Sequence, residues 1–273
     1  MKKGLNILIT VLIVLLIGVF SYSAYKLLKD AGNYKKADDF YKDTASQFVT
    51  QNPAADAPGA SPAEALTPSA PAGMDGFNPG ALQELSPVVV DFEALRSVST
   101  DIRAWLYCAD TPLNYPVVYN EDNDYYLSHL MDGRYNPSGT LYIDARCRDD
   151  FSCQNTVIHG HHMHDGSMLA SITKYADQAY YDEHPVLYLN TPDGNYRLEL
   201  FAGFVTLTYS LAYTYDFDST EAYLDWLVTM KELSNFQSDV EVGADDHIVT
   251  FSTCSYEYDD ARYVLMGKLV TIG

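Results

Sequence analysis

The chain has 273 residues, enough for one or two domains with a sizeable core, and 17 Lys+Arg against 37 Asp+Glu leave a formal net charge of −20. A chain this acidic repels phosphate backbones, which excludes nucleic acid as a partner and accounts for a well-solvated surface. Its four cysteines, Cys108, Cys147, Cys153 and Cys254, include no CxxC pair and no dense framework of the small secreted kind. A bridge between Cys147 and Cys153 requires an extracytoplasmic domain and adjoining Cβ atoms, which spacing alone does not decide.

Residues 5–20, LNILITVLIVLLIGVF, are apolar apart from Asn6, Thr10 and Gly18, and the following SYSAY extends the stretch to the length that crosses a bilayer. The reading is a membrane anchor over residues 1–25. A cleavable signal peptide competes with it, since Lys2 and Lys3 precede the run and Ser21, Ser23 and Ala24 are small. The run is long for a signal peptide, however, and KLLKDAGNYKKADDFYKD continues it as a helix. Lys2 and Lys3 on one flank, against Lys26, Lys29, Lys35 and Lys36 on the other, leave the orientation open. Residues 51–87 then change character, holding seven of the twelve prolines with almost no aromatics. Such a segment cannot bury enough surface to fold and reads as an extended, disordered stalk. Residues 26–87 are therefore expected to be a helical extension and a Pro/Ala-rich linker, and residues 88–273 the folded domain.

That domain reads as mainly β. IRAWLYC, GTLYID, NTVIHGH, PVLYLN, YRLELFAGFVTL, HIVTFSTC and RYVLMGKLVTI are short runs of β-branched and aromatic residues separated by Gly, Pro, Asn and Asp. TPDGN places Asp193-Gly194 where a tight hairpin turn is wanted. Helices are expected at DFEALRSVS, capped by Asp91, at GSMLASITKY, and at DSTEAYLDWLVTMKELS. In the last, Asp218 is the expected cap, and Tyr223, Trp226, Leu227, Met230 and Leu233 form a stripe that suits core packing. Strands on both sides of that helix predict a closed β-barrel or tightly rolled sheet with peripheral helices.

Two stretches carry candidate chemistry. In HIVTFSTCSYEYDDARYVLMGKLV, Cys254 ends one expected strand and Arg262 opens the next, so an antiparallel hairpin sets a guanidinium beside a thiol. A neighbouring cation favours the thiolate, and its fixed donors suit a developing oxyanion. In NTVIHGHHMHDGS four histidines fall within six residues. Strand alternation puts Val157, His159 and His161 on one face, with His161 best placed to reach a partner; His159 lines the strand, and His162 and His164 are solvated loop residues.

Three blocks resemble the class B sortases, membrane-anchored cysteine transpeptidases of Gram-positive cell surfaces. They are DIRAWLY…NYPVVY…DNDYYLSHLMDGRYNPSGTLYID, NTVIHGHHMHDGSM and TFSTCSYEYDDARYVLMGKL. The resemblance implies a closed sortase-type β-barrel, with His161, Cys254 and Arg262 as catalytic residues and Ser252 and Leu127 in the substrate groove. It implies cleavage after Thr in an Asn-Pro-x-Thr-like sorting signal of a surface protein, through a Cys thioester, and transfer to a peptidoglycan amine without metal or organic cofactor. It also implies a domain outside the membrane. His159 stands where the family has tyrosine, and Phe251 where it has leucine. Three rivals are a zinc hydrolase built on His159, His161 and His164, a pilin-polymerising sortase, and a non-catalytic wall-binding module. Met163 occupies the position where the zinc block needs aspartate.

Overall fold

A computed structural model of the chain describes residues 2–55 and 84–273. Helix α1 (Lys2–Phe48) runs straight into strand β1 (Val49–Gln51), which pairs antiparallel with β2 (Val88–Val90). Helix α2 (Phe92–Leu95) follows, capped by Asp91, whose carboxylate accepts from the Ala94 N–H. Then come β3 (Ile102–Tyr107), β4 (Asn114–Tyr119), β5 (Leu141–Ile143), β6 (Asn155–His159), α3 (Gln178–Glu183), β7 (Val186–Thr191), β8 (Gly194–Leu207), α4 (Thr220–Glu232), β9 (Ile248–Cys254) and β10 (Ala261–Ile272). Strands β3 to β10 close into an eight-stranded barrel in the order β10-β8-β7-β3-β4-β5-β6-β9. Closure leaves no strand edge unpaired.

Alternation along the strands sorts the side chains. Ile143, Ile158, Phe251 and Leu265 lie opposite one another across β5, β6, β9 and β10 and belong to the main buried core. Their strand neighbours Val264 and Met266 point the other way, into a second cluster with Tyr223, Trp226, Leu227 and Met230 of α4. The expected stripe is thus the face that seals α4 to the outer wall. Leu233 differs: it is the C-cap residue and stays exposed.

Several expectations shift. The cap of α4 is Ser219, whose hydroxyl accepts from the Ala222 N–H, not Asp218. GSMLASITKY, Gly166 to Tyr175, does not form the expected α-helix; a 3-10 turn spans Ala170–Ala176 instead. Pro192 and Asp193 make the β7–β8 turn, with Gly194 already paired to Thr191, because the fixed φ of proline suits the first central position of a turn. NYPVVY, absent from the expected strands, is β4. Its Pro116 is tolerated because the β5 ladder begins only at Val117, so the missing N–H lies where no strand needs it.

One described helix, within α1, is long and apolar enough to cross a membrane, by length and composition. Its large apolar residues from Ile9 to Leu28 are exposed, whereas Ala37, Tyr41 and Thr44 are buried against the barrel. The Tyr41 hydroxyl donates to the Gly139 carbonyl at 2.5 Å, and the Asn136 amide donates to the Asn33 carbonyl at 2.9 Å. Most of the expected stalk, residues 56–83, lies outside the described residues. Its two ends do not diverge: β1 and β2 pair, and the Asn52 N–H donates to the Pro87 carbonyl at 2.8 Å.

Candidate active site

Cys254 ends β9 and lies directly opposite Arg262 in the antiparallel β9–β10 ladder. Opposed residues share a face, and Phe251 and Leu265 point inward, so Ser252, Cys254 and Arg262 stand on the outer wall. His159 joins them, opposite Ser252 on β6, and Tyr142 lies beyond it on β5. Arg262 donates to the Ala261 carbonyl at 3.0 Å. Among the described residues no carboxylate comes within ion-pair distance of its guanidinium, which leaves most of its donors free for a ligand. Tyr213, in the turn before α4, closes this row: its hydroxyl is 2.8 Å from Ser252 Oγ, and its ring stacks on His159 at 6.2 Å and 12°. Burial pushes the Tyr213 phenol up, with Cys254 and Asp144 adding to that while the Ser252 hydroxyl and Arg262 oppose it.

The histidine loop is laced to the nucleophile strand. β6 stops at His159, so alternation does not extend to His161, whose direction is set by the turn. Gly160 allows that turn: a Cβ there would come within 2.3 Å of Leu141 Cδ2 and 2.8 Å of Leu169 Cγ. Its N–H donates to the Ser252 carbonyl at 3.1 Å, and its own carbonyl accepts from Thr253 Oγ1 at 2.8 Å. His161 Nε2 donates to the Leu127 carbonyl at 2.7 Å. A carbonyl only accepts, so Nε2 carries the hydrogen, and Nδ1 of the neutral ring is left to exchange a proton. Leu127 thus meets His161 through its backbone, while its side chain is exposed. His162 is not a solvated loop residue. Its Nδ1 donates to the carbonyl of Cys254 at 2.9 Å, and its own carbonyl accepts from the Tyr256 hydroxyl at 3.4 Å.

Beneath His159 lies a residue that sequence reasoning missed. Asp144, immediately after β5 and fully buried, accepts from His159 Nε2 at 2.9 Å, from the Arg146 guanidinium at 2.8 and 2.9 Å and from the Arg146 N–H at 2.9 Å. Asn123 and the Tyr215 hydroxyl complete the set, each at 3.2 Å. Burial alone raises a carboxyl, but these bonds outweigh it and hold Asp144 far below the usual carboxylate range. The only cue was an aspartate ending the expected strand GTLYID.

The histidines do not converge. His159 turns to Asp144, His161 to Leu127, and His164 stacks on Tyr256 at 6.2 Å. Among the described residues no group of three or more His, Cys, Asp or Glu is arranged to hold a metal ion. The site therefore offers a thiol, a guanidinium and an imidazole around one stretch of outer wall.

No family model matches the chain. Sortase B of Listeria monocytogenes is 37% identical over 179 residues, covering 65% of this chain and 73% of that protein. The chain belongs to the sortase B family. Solved sortase B structures superpose on the same region. The Staphylococcus aureus sortase B–substrate complex does so with a TM-score of 0.64 at 30% identity, covering 67% of this chain and 85% of that one. Sortase B from Bacillus anthracis, in complex with AAEK1, gives 0.61 at 37% identity, covering 66% and 84%. The eight-stranded barrel is the sortase B barrel, and the enzyme is a cell-wall cysteine transpeptidase. The zinc-hydrolase and wall-binding readings fall with that membership.

Proposed function

We propose that Cys254 is the nucleophile, Arg262 the oxyanion donor and His161 the proton shuttle of a transpeptidase that anchors surface proteins to peptidoglycan. The observation that carries the reading is the pairing of Arg262 across from Cys254 on the outer wall. A guanidinium there stands ready for the charge that develops on the attacked carbonyl. The Cys254 thiolate attacks the carbonyl after the threonine of an Asn-Pro-x-Thr-like sorting signal, and Arg262 stabilises the tetrahedral oxyanion. His161 gives a proton to the departing amine, leaving a thioester on Cys254. A peptidoglycan amine then loses a proton to His161 and attacks the thioester, expelling the Cys254 thiolate and restoring the starting state. The Ser252 hydroxyl and Leu127 line the groove beside the threonine, and the His162 bond to the Cys254 carbonyl fixes the backbone from which the thiol projects. The apolar part of α1 anchors the enzyme by a single pass, with the barrel outside the cell.

Sorting-signal peptides presented to the full chain with and without EDTA test this. Cleavage persists in chelator, Cys254→Ala abolishes it, and Arg262→Ala lowers kcat by about 100-fold or more with little change in KM. Cleavage that vanishes with EDTA and survives Cys254→Ala overturns the proposal.

A further inference from the structure

Between Asp144 and Asn155 the chain crosses from β5 to β6 through a short connection holding two cysteines that the transpeptidase chemistry does not use. Cys147 is 4% exposed and Cys153 1%, although RDDFS between them is mostly polar. The connection curls around the two sulfurs. The Arg148 N–H donates to Cys153 Sγ at 3.1 Å and the Val157 N–H to Cys147 Sγ at 3.4 Å. The Arg148 guanidinium clasps Ser152 at its hydroxyl and carbonyl, at 2.7 and 2.8 Å. Both cysteines are free thiols in the structure, and because the N–H that Cys153 Sγ accepts is that of the residue next to Cys147, the two side chains are neighbours; each bears on the other's ionisation, raising Cys147 and holding Cys153 down at about 7. Phe151 takes a φ of 61°, a left-handed conformation that strains a bulky residue and persists only where its surroundings over-determine it.

A single buried cysteine is ordinarily a small apolar filler. Two that meet inside one tight turn, on a domain facing an oxidising exterior, have another use. We propose that Cys147 and Cys153 form a disulfide that closes the β5–β6 connection of the mature enzyme. The oxidant is a disulfide-bearing molecule, either a thiol–disulfide oxidoreductase or a small disulfide. The Cys153 thiolate attacks one of its sulfurs and expels a thiolate. The Cys147 thiolate then attacks Cys153 Sγ and expels the second, so both electrons pass to the oxidant and the two thiol protons end on its thiols. The exchange takes place as the turn forms, before burial closes off the sulfurs. The bond ties the segment carrying Asp144 and Arg146 to the start of β6, the strand that delivers His159 and, one turn later, His161.

The inference rests on the extracellular placement of the barrel proposed above. To test it, the full chain is taken in detergent from cells quenched with an alkylating agent, denatured without reductant, alkylated and digested. Cleavage after Arg148 separates the two cysteines, so the disulfide appears as two joined peptides. Cys108 and Cys254 carry the alkyl group, and Cys147 and Cys153 take it up only after reduction. Reductant lowers the Tm of wild type by about 5 °C and leaves Cys147→Ser/Cys153→Ser unchanged; the peptide masses decide the matter even where that variant does not fold. Alkylation of Cys147 and Cys153 before reduction overturns the disulfide. Labelling Cys254 on intact cells with an impermeant thiol reagent shows whether the placement fails with it: a labelled Cys254 leaves the placement standing, an unlabelled one overturns that too.

Discussion

Asp144 collects six hydrogen bonds from Asn123, Arg146, His159 and Tyr215 without a solvent-exposed atom of its own. Bonds to a buried charge are worth more than those to a neutral acceptor, so Asp144→Asn, which keeps the shape but turns an acceptor into a donor, is expected to cost about 2–3 kcal/mol. The dependence on pH follows from the depressed carboxyl. Above its ordinary 3.8 the unfolded chain is ionised at this position and the stabilisation is complete. Below that, the unfolded chain binds a proton that the folded one refuses, and the contribution fades as pH falls toward the folded value. Urea titrations at pH 7 and pH 3 check this: the gap between wild type and Asp144→Asn narrows at the lower pH, and a constant gap would show that the carboxylate is not held low. Neither this residue nor the His162 clasp on Cys254 was legible in the sequence. Cys254 and Arg262 were, because a hairpin brings them together at short range. Asp144 meets His159 only through β5–β6 pairing, and a carbonyl acceptor such as that of Cys254 leaves no mark in residue type.

At the scale of elements, seven of the eight barrel strands were readable as short runs of β-branched and aromatic residues set off by Gly, Pro, Asn and Asp, a signal that survives even where both faces are buried, as in β5 and along nearly all of β9. β4 was not, because proline inside a run argues against a strand unless the neighbouring ladder is known to start later. The helix α4 was legible in its stripe and misread by one residue at its start. Asp218 and Ser219 are both good caps by type, and only the backbone distinguishes them: Ser219 is extended, at φ −152° and ψ 154°, and its hydroxyl faces the Ala222 N–H. Ser219→Ala should therefore cost about 1 kcal/mol and Asp218→Ala less than about 0.5, measured as shifts in the urea midpoint at constant m. The reverse order would return the cap to Asp218. Because α4 seals Val264 and Met266, neighbours of the Ser252–Cys254 row, loss of the cap loosens the wall behind the site without touching a reacting atom.

For the whole molecule, composition separates an apolar, exposed helix from an acidic folded body, and sets the body's start near residue 88. Packing moves that start. Tyr41 is 3% exposed, stands edge-on to Tyr115 at 5.5 Å and 84°, and donates to Gly139 in the chain leading into β5. Phe40 lies under the Arg134 guanidinium at 4.9 Å, and β1 supplies the only partner of β2 among the described residues. The second half of α1 is thus part of the same packed body, and the sequence hid this because Asp38, Asp39, Lys42 and Asp43 make the segment look solvated while every third or fourth residue turns inward. A chain beginning at residue 30 is expected to keep the stability of the full chain, since the large apolar residues from Ile9 to Leu28 that it lacks are exposed. One beginning at residue 88 gives up a buried aromatic and its hydrogen bond, a loss of about 3–5 kcal/mol, or roughly 10 °C in Tm. Tyr41→Ala in the longer chain should reproduce most of that fall. Equal melting temperatures for the two truncations would mean that α1 contributes only the anchor, and that the Tyr41 contact adds nothing to the barrel.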